Sequence, residues 1–316
     1  MKKLLPIGLA IAAFSFAQPA QAEWKPSGPI KVMIGFKAGG GTDTQGRLIF
    51  EEIGKRKGWK TIITNIAGKG GGNMLSQLMS EPADGLTIGM AVDSSVTYLP
   101  LVSKKIKYSV DSFTYLITTA PTQMAIVARK DKGWKSIDDL IAYAKAGNKV
   151  SIASMSPRLD DGVYVLSNKY GVKLNKVSVK GGKGSMNAII AGDVDAGWGA
   201  GIQGKLVRAG TVVNLISAEN KRLVLSPDIP TMRELGMPFQ FGVKFLTMAP
   251  KGLPADARKA IADAIYDVVN DKSTKAHQFI SKNFGPPPLV TGAKLDAQMK
   301  ANVDESKALL KAVNKL

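Results

Sequence analysis

Residues 30–43 read IKVMIGFKAGGGTD, and residues 61–73 read TIITNIAGKGGGN. Each begins as a short apolar run of the kind that makes a buried strand and ends in a cluster of glycines. A helical spacing follows each cluster: Leu48, Ile49 and Ile53 after the first, and Met74, Leu75, Leu78 and Met79 after the second. Strand, glycine turn, helix, repeated, is the signature of βαβ units and mostly parallel sheets.

Working outward, a third strand is expected at 86–92, ending at Asp93-Ser94-Ser95. A second group repeats the alternation. Strands are expected at 124–129, 149–154, 176–179, 195–199 and 212–217, with helices at 137–146, 161–170 and 186–191 and a short one at 231–235. Residues 245–249 read as a strand returning to the first group, and helices close the chain at 254–270, 273–283 and 292–313. A chain that builds one lobe, crosses to a second and crosses back gives two α/β lobes joined by a two-strand hinge, as in type II-like periplasmic binding proteins. The expected division is residues 23–123 plus 242–316 for the first lobe and 124–241 for the second.

Residues 1–22 read MKKLLPIGLAIAAFSFAQPAQA. A basic start, an apolar run too short to span a bilayer and an Ala-Gln-Ala end make a secretory signal peptide. The mature chain is therefore expected in the periplasm. The 316 residues contain no Cys and one His, His277. That excludes disulfides, thiolate nucleophiles and Cys-ligated metals, and argues against a Ser-His-Asp triad or a multi-His metal site. No catalytic residue, metal or cofactor is called for. The net charge is +18, from 43 Lys+Arg against 25 Asp+Glu. Such a balance favours anionic partners. The lysines are dispersed, with no basic block interleaved with aromatics, so nucleic acid is not expected as a partner.

Glycine lets a ligand approach backbone N–H groups closely, and the first turn of a helix carries unpaired donors and the positive end of the dipole. Three strand ends run into such starts, at 39–43, 68–73 and 180–185, and together they form a candidate anion site. None has Walker A spacing or a dinucleotide fingerprint. The candidate ligand contacts are Gly39, Gly40, Gly41, Thr42, Asp43 and Thr44 in the first loop and Gly70, Gly71, Gly72 and Asn73 in the second. Asp93 and Ser94 could bind a ligand or cap a helix. Ser154, Lys180, Gly182 and Ser185 would face them from the second lobe. Trp198, beside Gly199, could floor a pocket or pack in the core. Arg158 and Lys180 could supply charge or sit at the surface. Asp160 and Asp161 read as a helix start rather than an acid–base pair.

These motifs, in this order, resemble the substrate-binding proteins of tripartite tricarboxylate transporters, the Bug family. Gly39-Gly40-Gly41-Thr42-Asp43 is similar to the family's first glycine motif, and Asn65 followed by Gly68 to Asn73 to its second. Pro82-Ala83-Asp84-Gly85, Gly192-Asp193-Val194-Asp195, Pro227-Asp228-Ile229-Pro230-Thr231 and Ala249-Pro250-Lys251-Gly252 resemble later ones. The resemblance implies a monomeric periplasmic receptor that closes on a small organic anion, a di- or tricarboxylate or an aromatic acid. It would deliver the acid to membrane permease subunits driven by an ion gradient. It also implies that one ligand carboxylate is gripped by the first two glycine loops, partly through water. Lys37-Ala38 stands where the family has a proline pair, Lys69 interrupts the second loop, and Asp93 replaces a neutral residue. The alternatives are a ligand-binding partner of a membrane sensor kinase and an exported hydrolase.

Overall fold

The computed structural model describes residues 24–316, so the signal peptide expected at residues 1–22 lies outside the described residues. The first group of elements is β1 (Ile30–Ile34), α1 (Gly41–Lys57), β2 (Thr61–Asn65), α2 (Gly72–Leu78), β3 (Thr87–Val92), α3 (Asp93–Thr97), α4 (Leu99–Val102) and β4 (Phe113–Ala120). The second is β5 (Met124–Arg129), α5 (Ile137–Lys145), β6 (Val150–Ser154), α6 (Pro157–Tyr170), β7 (Leu174–Ser178), α7 (Gly181–Ala191), β8 (Ala196–Ala200), α8 (Gly204–Arg208) and β9 (Val212–Ser217). The chain ends with β10 (Phe245–Pro250), α9 (Ala255–Asn270), α10 (Lys275–Phe284) and α11 (Gly292–Ala312). Among the described residues, no helix is long and apolar enough to cross a membrane.

Two five-stranded sheets form the lobes, ordered β2-β1-β3-β10-β4 and β7-β6-β8-β5-β9. In the first, β1 runs parallel to β2 and β3, and β10 runs against β3 and β4. In the second, β6 is parallel to β7 and β8, and β5 runs against β8 and β9. The reversed strands, β10 and β5, are those that follow a crossing between lobes. Parallel strands end at the interlobe gap, so a chain arriving through that gap starts its next strand there and must run the other way. Both faces of each sheet are covered, which is why the strands read as continuous apolar runs rather than alternating ones. In β1, Val32 and Ile34 enter one core cluster with Phe50, Ile88 and Ile265, while Met33 enters the opposite one with Met74 and Leu246.

Three differences from the sequence reading stand out. Residues 113–120, FTYLITTA, form β4, which the alternation did not single out because no helix of ordinary length precedes it. The short helix expected at 231–235 is a run of turns, fixed where Thr231 N–H donates to Glu234 and Met232 N–H to the Ser217 carbonyl. The end of α11 leaves the first lobe. At 21 residues, this helix is about 31 Å long. Its last turn places Leu309, Leu310 and Val313 in the core of the second lobe, beside Tyr98. Asp161, fully buried, accepts hydrogen bonds from Tyr98 and Lys315 there. The lobes are thus linked by two strand crossings and a helical strut.

The two crossings meet at Glu219. Its carboxylate accepts Met124 N–H and the Thr122 hydroxyl, each at 2.7 Å. Thr122 Oγ1 in turn accepts Val243 N–H at 2.9 Å. A Cβ on Gly242 would lie 1.9 Å from Glu219 Oε2, so any side chain there would displace the carboxylate from these bonds. Burial pushes Glu219 up from 4.5 to about 7, although Met124 N–H, the Thr122 hydroxyl and Arg158 all act against it. Protonation of Glu219 therefore favours the folded state. That contribution is complete below 4.5 and is lost as pH rises through about 7. The expected outcome is that unfolding free energy falls across this window in the wild type and falls less steeply in Glu219→Gln. Asp93, pushed by burial from 3.8 to about 6, supplies the remaining slope. Denaturant titrations at stepped pH check this, and equal slopes in both proteins would refute it.

Candidate functional site

The strand ends of both lobes open onto one gap, and the lobes touch around it. A Cβ on Gly70 would lie 3.3 Å from Ser156 Cβ, one on Gly181 would lie 3.6 Å from Phe36, and Lys183 Nζ donates to the Ala38 carbonyl at 3.5 Å. The space left between them has a volume of about 90 Å³. This is a small enclosure by the standard of drug-sized sites.

From the first lobe, Gly40, Gly41 and Thr42 line this cleft. They form the cap and first turn of α1, and no side chain caps that helix. The N–H groups of Gly41 and Thr42 have no intrahelical partner, whereas Gly40 N–H donates to the Lys37 carbonyl at 3.2 Å. Asp43 does not line the cleft. Its Oδ2 accepts Gly39 N–H at 2.8 Å, and its Oδ1 accepts from Arg47 at 2.9 Å and Asn65 at 2.8 Å. Burial acts to raise its pKa, but Gly39 N–H, Asn65 and Arg47 more than reverse this and hold it below the usual value. Asp43 thus braces the loop, with Gly39 in the left-handed region at φ 72°. Gly39 faces Lys183, and Thr44 closes the first helical turn onto the Gly40 carbonyl.

Of the second loop, Gly70 lines the cleft. Its carbonyl accepts the Ser95 hydroxyl at 2.5 Å. Gly71 and Gly72 pack inward, and a Cβ on Gly71 would meet Ser95 Oγ at 2.9 Å. Asn73 turns back to donate to the Ala67 carbonyl at 3.2 Å. After β3, Ser94 lines the cleft. Asp93 faces a polar cavity behind the hinge and is held by Ser94 N–H at 2.7 Å and Asn302 at 3.2 Å.

From the second lobe come Lys180, Gly181, Gly182 and Lys183, at the uncapped start of α7, and Ser156, Arg158 and Leu159, at the uncapped start of α6. Ser154 borders an adjoining recess rather than the main space. Ser185, Trp198 and Gly199 lie beneath the floor. Trp198 is fully buried, donates through Nε1 to the Leu159 carbonyl at 3.1 Å and packs on Phe241 at 5.6 Å. A Cβ on Gly199 would strike Gln203 and Val127 at 2.7 Å. Ser185 is buried beside Gly197.

The apolar part of the wall is what the sequence reading left out: Phe36, Met155, Ile202, Phe241, Phe245 and Phe284 among others. Phe36, between β1 and the glycines, carried a positional signal. Phe284, at the end of α10, carried none. The charged side chains lining the cleft are Lys37, Arg158, Lys180 and Lys183, all cations, and no carboxylate joins them. An apolar gap with cationic rims and three helix starts favours a small anion. His277 is elsewhere: its N–H donates to Thr274 and its ring faces the Val269 carbonyl.

The family described as tripartite tricarboxylate transporter family receptor, TctC, matches residues 46–314. The chain belongs to that family. A UPF0065 protein of Cupriavidus necator is 30% identical, covering 82% of this chain and 80% of the relative. Protein BugT of Bordetella pertussis is 27% identical over 80% of each. Among solved structures, the periplasmic binding protein BugD superposes with a TM-score of 0.82 at 24% identity, covering 92% of this chain and 99% of that one. MatC from Rhodopseudomonas palustris, with bound malate, gives 0.80 at 22% identity, covering 90% and 100%. These structures share the two-lobe fold.

In this TctC-family chain, Gly41 packs tightly at the cleft wall. A Cβ there would lie 2.7 Å from the tip of Phe284 and 3.2 Å from Ile202. Its backbone is helical, so alanine brings no strain. Gly41→Ala should push Phe284 into the cleft and weaken ligand affinity about ten-fold, roughly 1.4 kcal/mol. The ligand-free protein should also lose about 1 kcal/mol of stability, because Phe284 is a buried core residue and must shift. Calorimetric titration alongside thermal unfolding checks this.

Proposed function

We propose that this protein is a periplasmic receptor that captures a small organic carboxylate between its lobes and passes it to the membrane subunits of a tripartite tricarboxylate transporter. The observation that carries the reading is the composition of the cleft: four cations and three uncapped helix starts surround an apolar space without a single carboxylate. Neutral N–H donors and cations suit a carboxylate, and a cavity of about 90 Å³ suits a small one. Export by the leader at residues 1–22 puts the receptor where such acids arrive from outside the cell. Malate in MatC and adipate in another R. palustris protein with the same fold support this ligand class.

The reading is of a binder that acts as a monomer and turns nothing over. Gly40, Gly41, Thr42 and Gly70 would hold the acid from the first lobe, with Lys180, Gly182 and Arg158 across the gap. Water can bridge part of this grip at little enthalpic loss. Ligand binding only to the folded, closed form should stabilise it by about 2.7 kcal/mol at a hundred-fold excess over Kd. A thermal-shift panel of di-, tri- and aromatic carboxylates should therefore show at least one clear upward shift, with the acid recovered unchanged. A flat panel would count against the reading.

A further inference from the structure

Arg158 is the second residue of α6 and stands between the cleft and the polar cavity of Asp93, Glu219 and Glu305, lining both. Its Nη2 donates to the Gln240 carbonyl at 2.7 Å, and its guanidinium lies over Phe241, 5.2 Å from the ring centre. Its Nη1 is shielded from solvent and has no hydrogen-bond partner. The acids nearest in charge terms, Asp93, Glu305 and Glu219, attract Arg158 through space without bonding to it. Asp93 is engaged by Ser94 and Asn302, and Glu219 by Met124 and Thr122. A buried guanidinium donor left unpaired is costly, and a planar carboxylate is the partner that best completes it.

Opposite, in the first lobe, the unpaired first-turn amides of α1 line the same cleft. Between these two donor sets the wall is made by Phe36, Met155, Ile202 and Phe284. We propose that Arg158 is the residue that sets ligand selectivity: it pairs with a second carboxylate while the α1 amides hold the first, so the cleft chooses a diacid with an apolar middle. An amino acid of the same length fits less well, because no carboxylate lines the cleft to receive its ammonium group. The inference rests on the receptor reading and adds to it which residue discriminates among acids.

The test measures affinities of full mature protein for linear dicarboxylates from malonate to suberate, each paired with its monomethyl ester. For the best-bound diacid, the wild type should bind the diacid roughly 30- to 100-fold tighter than its ester, the range expected for one charge-assisted hydrogen bond. In Arg158→Gln the ratio should collapse to near one, because the diacid weakens and the ester does not. The ratio is read within one variant, so a change in overall stability does not imitate the effect. Arg158→Lys keeps a cation beside Asp93 and Glu219 and guards against a misfolded glutamine variant; its ratio should be reduced several-fold but stay above one. A wild type that binds ester and diacid alike, or either variant keeping the full ratio, would overturn the role of Arg158. A wild type that binds none of these acids nor any of the wider carboxylate panel would overturn the receptor reading itself.

Discussion

Backbone amides at the start of a helix need partners, and in this protein α1 and α7, which reach the interlobe gap from opposite lobes, have no side chain to provide them, while α6 begins with Pro157, which carries no N–H. Helices from opposite lobes present their positive ends to one another across an apolar space of about 90 Å³. Lys37, Lys180, Lys183 and Arg158 add full charges of the same sign. In a space with little water these charges are weakly screened, so closing the lobes without an anion concentrates unbalanced positive potential. An anion between them removes that penalty. Closure and capture are thereby parts of one electrostatic balance, and the fold serves to bring the helix starts together.

The topology makes that possible. Because parallel strands all end at the gap, every βα loop is delivered to it, and each crossing strand must be laid antiparallel into the receiving sheet. Glu219 ties the two crossings into one unit with Thr122, Met124 and Val243, and Gly242 leaves room for its carboxylate. The third link, α11, sends Leu309, Leu310 and Val313 into the second core, where Asp161 gathers Tyr98 and Lys315. The lobes are therefore joined by residues 121–123, by residues 242–244 and by this helical strut.

The alternation of apolar runs with glycine turns and helical spacing was enough to read the two lobes, because that pattern follows directly from backbone geometry and burial. β4 escaped because its neighbours are short helices, and the sequence reading puts all of α11 in the first lobe because an amphipathic helix says where it is apolar, not what it packs against. Within the site, glycines could be located but not aimed. Gly40, Gly41 and Gly70 face the gap, whereas Gly71, Gly72 and Gly199 serve close packing. Asp43 and Asn73 look alike as polar loop residues, yet both are consumed by backbone bracing. Trp198 proved to be core, since its strand presents it to the face covered by α6. Arg158 was ambiguous for a physical reason: whether a guanidinium is solvated or buried depends on Phe241 and Gln240, more than 80 residues away in the chain.

The most direct measurement is amide chemical shift in protein labelled with ¹⁵N-glycine, titrated with the acid it binds. The account predicts large shifts and slowed solvent exchange at Gly41, Gly70 and Gly182, which line the cleft. Gly133, Gly147 and Gly252, which have open space around them, should stay unmoved. Saturable binding that leaves these three cleft amides in place and moves glycines elsewhere would contradict it.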